Sequence, residues 1–259
     1  MASSLIYQLY IELDGFEPKI WRRFEIQADK SLANLAYIIM IMYEARQYYS
    51  YQFKVDEQKS YLIRHPEYVR RPERLLELNK KFNKDKYGIT NKNNIYMYRN
   101  ANDCFGELKD ATKTLIKDVI SFEKDEMDFF YDPEVNWKFN IKLEKKFKDS
   151  TRTKGDLPNV IEGKGYGIIE TCSTIDKLQQ FRENSKSKKW RRTCGYEFYY
   201  TIDNKDKVFK FDEFDVEDMN IRVKKISIAL KKQYEDLIFA KSDYLIKILK
   251  RNYRVNRKK

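Results

Sequence analysis

Apolar and polar residues alternate in two short stretches near the start of the chain. Over residues 6–13 the alternation is imperfect but reads as a first strand through Ile6, Leu9, Ile11 and Leu13. Over residues 20–26 it is stricter: Ile20, Arg22, Phe24 and Ile26 fall on one side, and Trp21, Arg23 and Glu25 on the other. That period of two predicts a second strand, separated from the first by the turn pair Asp14-Gly15 and by Pro18. The period then changes. Leu32, Leu35, Ile38, Ile39 and Met42 recur at helical spacing, and Asp29 and Ser31 supply the side-chain oxygens that start helices. Tyr51, Phe53 and Val55 restore the alternation and predict a third strand. Strand, strand, helix, strand is an α+β opening.

Residues 64–100 are more polar. Arg64, Arg70, Arg71 and Arg74 surround Pro66 and Pro72, four lysines follow, and Leu75, Leu76, Leu78 and Phe82 fit one short helix. The Asn-rich run at 91–94 reads as a turn, and the whole stretch as a surface insertion. Residues 115–120 suit either a short helix or a strand. A hairpin is predicted from Phe129, Phe130 and Tyr131, the connection Asp132-Pro133, and a second strand with Trp137, Phe139, Ile141 and Leu143 on one face. Lys138, Asn140, Lys142 and Glu144 share the wet face. Asp176 is placed to cap a helix through Phe181. In residues 212–250, Ile226, Leu230, Tyr234, Leu237, Leu245 and Leu249 mark one face of a long helix or helix pair. The expected architecture is α+β, with a mostly antiparallel sheet packed with helices and a C-terminal helical extension. Residues 1–205 form the core, with the polar insertion near 64–100, and residues 206–259 the helical region with its basic tail.

Composition sharpens this picture. A chain of 259 residues can bury enough surface to fold without metal or disulfide staples. Its 36 Tyr and Phe side chains supply core area that the modest aliphatic content does not. No run approaches the roughly 20 apolar residues of a membrane span, and the first residues lack the pattern of a signal peptide. Cys104, Cys172 and Cys194 are odd in number and far apart, which fits a reducing compartment; a cytoplasmic protein with no membrane contact is expected. The formal charge of +12 attracts polyanions, although 40 acidic residues dilute the field.

The positive charge is clustered, which makes nucleic acid (DNA or RNA) or a nucleoprotein the expected partner. Lys186, Lys188, Lys189, Arg191 and Arg192 interleave with Trp190, a plan suited to phosphate contact and base stacking. Lys250, Arg251, Arg254 and Arg257 end the chain without an intervening acid. Arg22 and Arg23 admit two readings: paired with carboxylates beside a core Trp21, or gripping phosphate with their planar forks. The run Gly163-Lys164-Gly165-Tyr166-Gly167 lacks the ending of a phosphate loop and is better explained by a bend needing positive φ. His65 stands alone beside Pro66, and no paired cysteines offer a zinc site. Neither a cofactor nor a metal is expected. Asp132, Glu144 and Lys146 have the types a magnesium-dependent nuclease uses, two carboxylates and a lysine, with Glu144 and Lys146 on the same face of a strand.

Four separated segments resemble one family. Tyr7-Gln8-Leu9 with Pro18-Lys19-Ile20-Trp21-Arg22-Arg23 and Glu25-Ile26, followed by Leu32 and Leu35, is similar to the opening of the plasmid Ri third-reading-frame-like family, whose members accompany plasmids and transposons. Tyr131-Asp132, Trp137 and Ile141-Lys142-Leu143-Glu144 resemble its middle motif. Pro158, Val160-Ile161, Gly163, Gly165-Tyr166-Gly167 and Ile168-Ile169-Glu170 resemble its third. Phe211-Asp212, Phe214-Asp215 and Met219-Asn220 resemble its close. Two departures stand out. Where the family has Gly-Asp and then a His after the Trp, this chain has Glu134-Val135 and Phe139. Where it has an acid, a Cys and paired Gly, this chain has Thr171, Cys172, Ser173 and Thr174. The resemblance therefore implies the fold more than a shared chemistry. The expected function is a non-enzymatic accessory protein of a mobile element that binds nucleic acid or a nucleoprotein. An anti-defence inhibitor of the anti-CRISPR kind, competing for guide RNA, and a metal-dependent nuclease are the alternatives.

Overall fold

The two alternating stretches at the start of the chain pair with each other. In the computed structural model, which describes residues 4–45, 49–56, 93–97, 108–186 and 210–235, β1 (Ser4–Leu13) and β2 (Trp21–Gln27) form an antiparallel pair with Tyr10 opposite Arg23 and Ile11 opposite Arg22. Ser31 caps α1 (Leu32–Met42), its hydroxyl accepting the Asn34 N–H at 3.2 Å. There follow β3 (Tyr51–Asp56), β4 (Asn93–Met97), β5 (Leu108–Asp110), the single turn α2 (Ile116–Val119), β6 (Glu126–Tyr131), β7 (Trp137–Asp149), β8 (Asn159–Lys164), α3 (Ile175–Ser185) and α4 (Val216–Glu235). The strands make one sheet in the order β5-β4-β3-β6-β7-β1-β2-β8, antiparallel throughout except between β4 and β5. This is the expected α+β class. Among the described residues no helix is long and apolar enough to cross a membrane.

Two local expectations are corrected. Asn93 and Asn94, read as a turn, begin β4 and pair with Asp56 and Val55. Thr174, not Asp176, caps α3, because its hydroxyl accepts the Lys177 N–H at 3.2 Å; the helix runs on to Ser185. The short helix expected around Leu75 and Phe82, with His65, Cys104 and Cys194, lies outside the described residues.

The core lies between the sheet and its helices. Every residue of α1 except Asn34 is buried, so this helix is apolar around its circumference and is enclosed, with the sheet on one side and α4 on another. Leu9, Ile11, Phe24, Phe129, Phe139, Ile141 and Leu143 face it from the sheet. The Tyr43 hydroxyl ties its end to the Ile11 carbonyl at 2.8 Å. Phe211, Met219 and Val223 belong to the same cluster, so the first half of α4 is part of the core.

The sheet ends at β8, and α4 closes that edge. Asn220 presents its side-chain amide to the outer side of Val160: its Oδ1 accepts the Val160 N–H at 2.8 Å, and its Nδ2 donates to the Val160 carbonyl at 2.9 Å. One amide side chain thus stands in for a residue of a neighbouring strand, satisfying backbone groups that would otherwise invite pairing. Replacing Asn220 by Ala should cost about 2 kcal/mol and lower the melting temperature by about 4–8 °C. An unchanged melting temperature would mean that water serves Val160 equally well.

A bulge in β7 sets the geometry of the far end of the sheet. Leu9 pairs with Leu143, but Gln8 pairs with Lys145, which leaves Glu144 as the extra residue. Up to Leu143 the inward residues are Trp137, Phe139, Ile141 and Leu143, as the sequence predicts. Beyond the bulge the alternation is shifted by one, and Lys146 stands opposite the buried Tyr7.

Candidate functional site

Arg22 contacts no external phosphate, because its side chain is wholly inside the protein, at 0% exposure. The strict alternation of β2 puts it on the core face with Phe24 and Ile26, and its guanidinium spends all five N–H groups on backbone carbonyls. Nε donates to Met42 (3.1 Å), Nη1 to Trp21 (2.8 Å) and Lys164 (2.7 Å), and Nη2 to Gly165 and Tyr166 (2.8 Å each). The plane lies 3.8 Å from the centre of the Phe214 ring and 4.9 Å from that of Tyr43. Buried in this way, Arg22 is not the phosphate grip that the sequence allows: it ties β2, the end of α1 and the loop after β8 into one unit.

The glycine run explains the room for this arrangement. A Cβ on Gly163 would meet the Phe214 ring at 2.7 Å and Arg22 Cδ at 2.8 Å, so only glycine lets the ring lie on the guanidinium. Gly165 takes φ +77°, the bend the sequence suggests. The loop turns carbonyls toward a cation. A phosphate cradle does the opposite and turns N–H groups toward an anion.

Trp21, Arg23 and their neighbours occupy the other face of the sheet. Trp21 is half-buried there and stacks on Tyr10 at 5.6 Å, so it is not a core residue; the one-residue offset from Arg22 gives it the opposite direction. Arg23 holds Glu144 with two hydrogen bonds (2.6 and 2.8 Å) and also pairs with Glu162. Arg23, followed by Gln8 at 2.8 Å, holds the Glu144 carboxyl below its ordinary range. Lys19 pairs with Glu12, Arg152 with Glu25, and Lys138 lies between Asp14 and Asp128. These four cations are matched by carboxylates, which reduces the attraction this face offers a polyanion.

The nuclease constellation does not assemble. Asp132 sits in the β6–β7 turn at φ +62°, accepting the Glu134 N–H at 3.0 Å. Glu144 is engaged on the Arg23 face, whereas Lys146 points to the opposite side, donating to the Ser121 carbonyl at 3.0 Å. The bulge at Glu144 is the reason that the expected shared face is wrong. Among the described residues no group of three or more His, Cys, Asp or Glu side chains is placed to hold a metal ion. At the position of the family's His, Phe139 is buried edge-on against Tyr43 at 4.6 Å. Thr171 is exposed and Cys172 is buried.

The same bulge creates a different feature. An open cavity of about 480 Å³ lies where the start of β1 and the end of β7 meet α2, lined by Leu5, Tyr7, Phe147 and Ser121, and by Lys117, Lys146 and Lys148 with Asp118. Its walls are apolar and its charge is three ammonium groups against one carboxylate. Among the described residues neither Lys117 nor Lys148 is in an ion pair. Burial, and then the carboxylates of Asp125 and Asp118, push the Tyr7 hydroxyl above its ordinary range, so it stays a protonated donor. Lys146 was visible in the sequence, but in another role. Lys117 and Lys148 were missed, because nothing local marks residues 5–7, 117–121 and 146–148 as neighbours.

Of the two basic clusters, only Lys186 is described, and its ammonium group is engaged by Glu183 at 2.9 and 3.1 Å. Lys188, Lys189, Trp190, Arg191 and Arg192 lie outside the described residues, as do Lys250, Arg251, Arg254 and Arg257.

Comparison with known proteins agrees with the architecture. The fold is similar to that of a protein of unknown function from Methanosarcina mazei Go1, with a TM-score of 0.59 and 17% identity over 83% of this chain and 97% of that one. At that identity the likeness concerns the fold alone. No curated protein matches this chain. A family model described as plasmid pRiA4b ORF-3-like protein matches residues 5–221, which include β1, the Arg22 knot, the β6–β7 hairpin and the Asn220 clasp. The chain belongs to the plasmid pRiA4b ORF-3-like family.

Proposed function

We propose that this protein is a non-enzymatic, cytoplasmic accessory protein of a mobile element that binds nucleic acid or a nucleoprotein through lysine-rich surface. The observation that carries this reading is the cavity between β1, β7 and α2, where Lys117, Lys146 and Lys148 face one space with a single opposing carboxylate. The ion-paired outer face of the sheet supports it by contrast: the described residues carry 26 Lys and Arg against 28 Asp and Glu, so three lysines facing one carboxylate are a local excess of positive charge. Cations that neutralise phosphates release counterions, so binding of this kind weakens steeply with salt.

Titrating a labelled oligonucleotide at several salt concentrations tests the reading. The logarithm of the binding constant should fall linearly with the logarithm of salt concentration. Replacing Lys117, Lys146 and Lys148 together by Gln should make that slope shallower by about two to three. Affinity indifferent to salt, or a slope that the triple replacement leaves unchanged, would overturn it.

A further inference from the structure

Beside the lysine cavity one aromatic ring is half exposed. Phe122 is 50% exposed, one of few large apolar side chains so placed among the described residues. It follows Ser121, which lines the cavity, and the Lys146 ammonium lies 5.2 Å from the centre of its ring. The turn that carries it is held from below. Asp125 is fully buried, and its Oδ2 accepts the N–H groups of Ser121 (2.9 Å) and Phe122 (3.0 Å). The Asp125 backbone also accepts the Leu143 N–H at 2.9 Å, and Lys124 N–H donates to the Leu143 carbonyl at 2.7 Å, tying the turn to β7. An exposed phenyl ring on a turn fixed by a buried carboxylate is a preorganised apolar surface, not a loose loop.

Resting on the polyanion reading above, we infer that this corner binds single-stranded nucleic acid, with an unpaired base stacked on Phe122 and the adjoining phosphates on Lys117, Lys146 and Lys148. One feature favours an unpaired strand over a duplex: bases in a duplex are stacked on one another and cannot offer a face to Phe122, whereas a single strand can. Alternating ring and ammonium groups, with Lys146 beside Phe122, repeats the plan of known single-strand platforms, where cations track phosphates and aromatics take bases.

Fluorescence anisotropy with a 20-nucleotide single-stranded DNA, the matching RNA and the matching duplex DNA tests this. Wild-type protein should prefer the single strands. Phe122→Ala should weaken single-strand binding about tenfold, leave duplex binding unchanged and leave the salt slope unchanged; Phe122→Trp should restore the affinity. Phe122 is exposed, so the melting temperature of both variants should match wild type. Equal effects of Phe122→Ala on single strand and duplex, or no effect on either, would overturn the stacking site while leaving the lysine reading intact. Failure of the wild type to bind any of the three probes would sink the underlying reading instead.

Discussion

Arg22→Met should yield no folded protein at 37 °C, and Arg22→Lys a protein with a markedly lower melting temperature. The side chain is fully buried and its five donors meet the carbonyls of Met42, Trp21, Lys164, Gly165 and Tyr166. A methionine of similar length fills the space but donates nothing, so these acceptors lose their partner inside the protein. Each buried acceptor left so costs about 1–3 kcal/mol. Summed over even part of the set, the loss approaches the whole stability of a typical domain, about 5–15 kcal/mol. Lysine keeps the charge and three donors, but its ammonium is a point and cannot reach five carbonyls arranged around a plane. It should therefore retain part of the stabilisation, with a loss of about 3–4 kcal/mol by urea titration. Wild-type stability in Arg22→Lys would show that the planar fork is dispensable and that water can serve the remaining carbonyls.

The strength of that expectation bears on what the sequence can say. Ile20-Trp21-Arg22-Arg23 is the most specific part of the family resemblance, and two arginines beside a tryptophan invite a ligand reading. Yet the alternation that predicts β2 already puts Arg22 with Phe24 and Ile26 on the core face. The pattern was correct, and the general rule that arginines are exposed was the weaker guide. The same alternation located β1, β3 and the β6–β7 hairpin, and the oxygen of Ser31 located the start of α1.

What stayed hidden in the sequence is of another kind. The bulge at Glu144 involves no glycine and depends on how β1 pairs with β7, so residues 142–148 alone do not betray it. It alone decides that Glu144 and Lys146 face opposite ways, which separates these two candidate residues and delivers Lys146 to the cavity. Lys117, Lys148 and Phe122 meet there only through the topology. Asn220 was legible as part of a signature but not as a clasp on β8, since its partner Val160 lies 60 residues away.

Glu44 and Arg222 should show the second large effect, and their double replacement should be milder than either single one. Arg222 donates from Nη1 and Nη2 to the two oxygens of Glu44 at 2.5 and 2.8 Å, with side-chain exposures of 2% and 3%. The pair joins the end of α1 to α4. Arg222→Met leaves a buried carboxylate without its cation and should cost about 3–5 kcal/mol, as should Glu44→Met by the converse. Together, two methionines fill the space with apolar volume and leave neither member of the pair without its partner, so the double variant should recover most of the loss. Asp218, 3.8 Å from Arg222, adds a pH signature. Burial pushes its pKa up to about 6; Arg222 opposes that shift, and Glu44 and Asp215 reinforce it. The folded protein therefore takes up this proton at a higher pH than the unfolded chain, and the contribution of Asp218 to stability grows as pH falls from about 6 toward about 4. Without Arg222 the shift is larger, so Arg222→Met should regain more stability than wild type between pH 7 and pH 5.5. Urea titrations at both values measure it. Additive single losses with no recovery in the double variant would mean that the two side chains stabilise the helix junction separately, through packing and not through their charges.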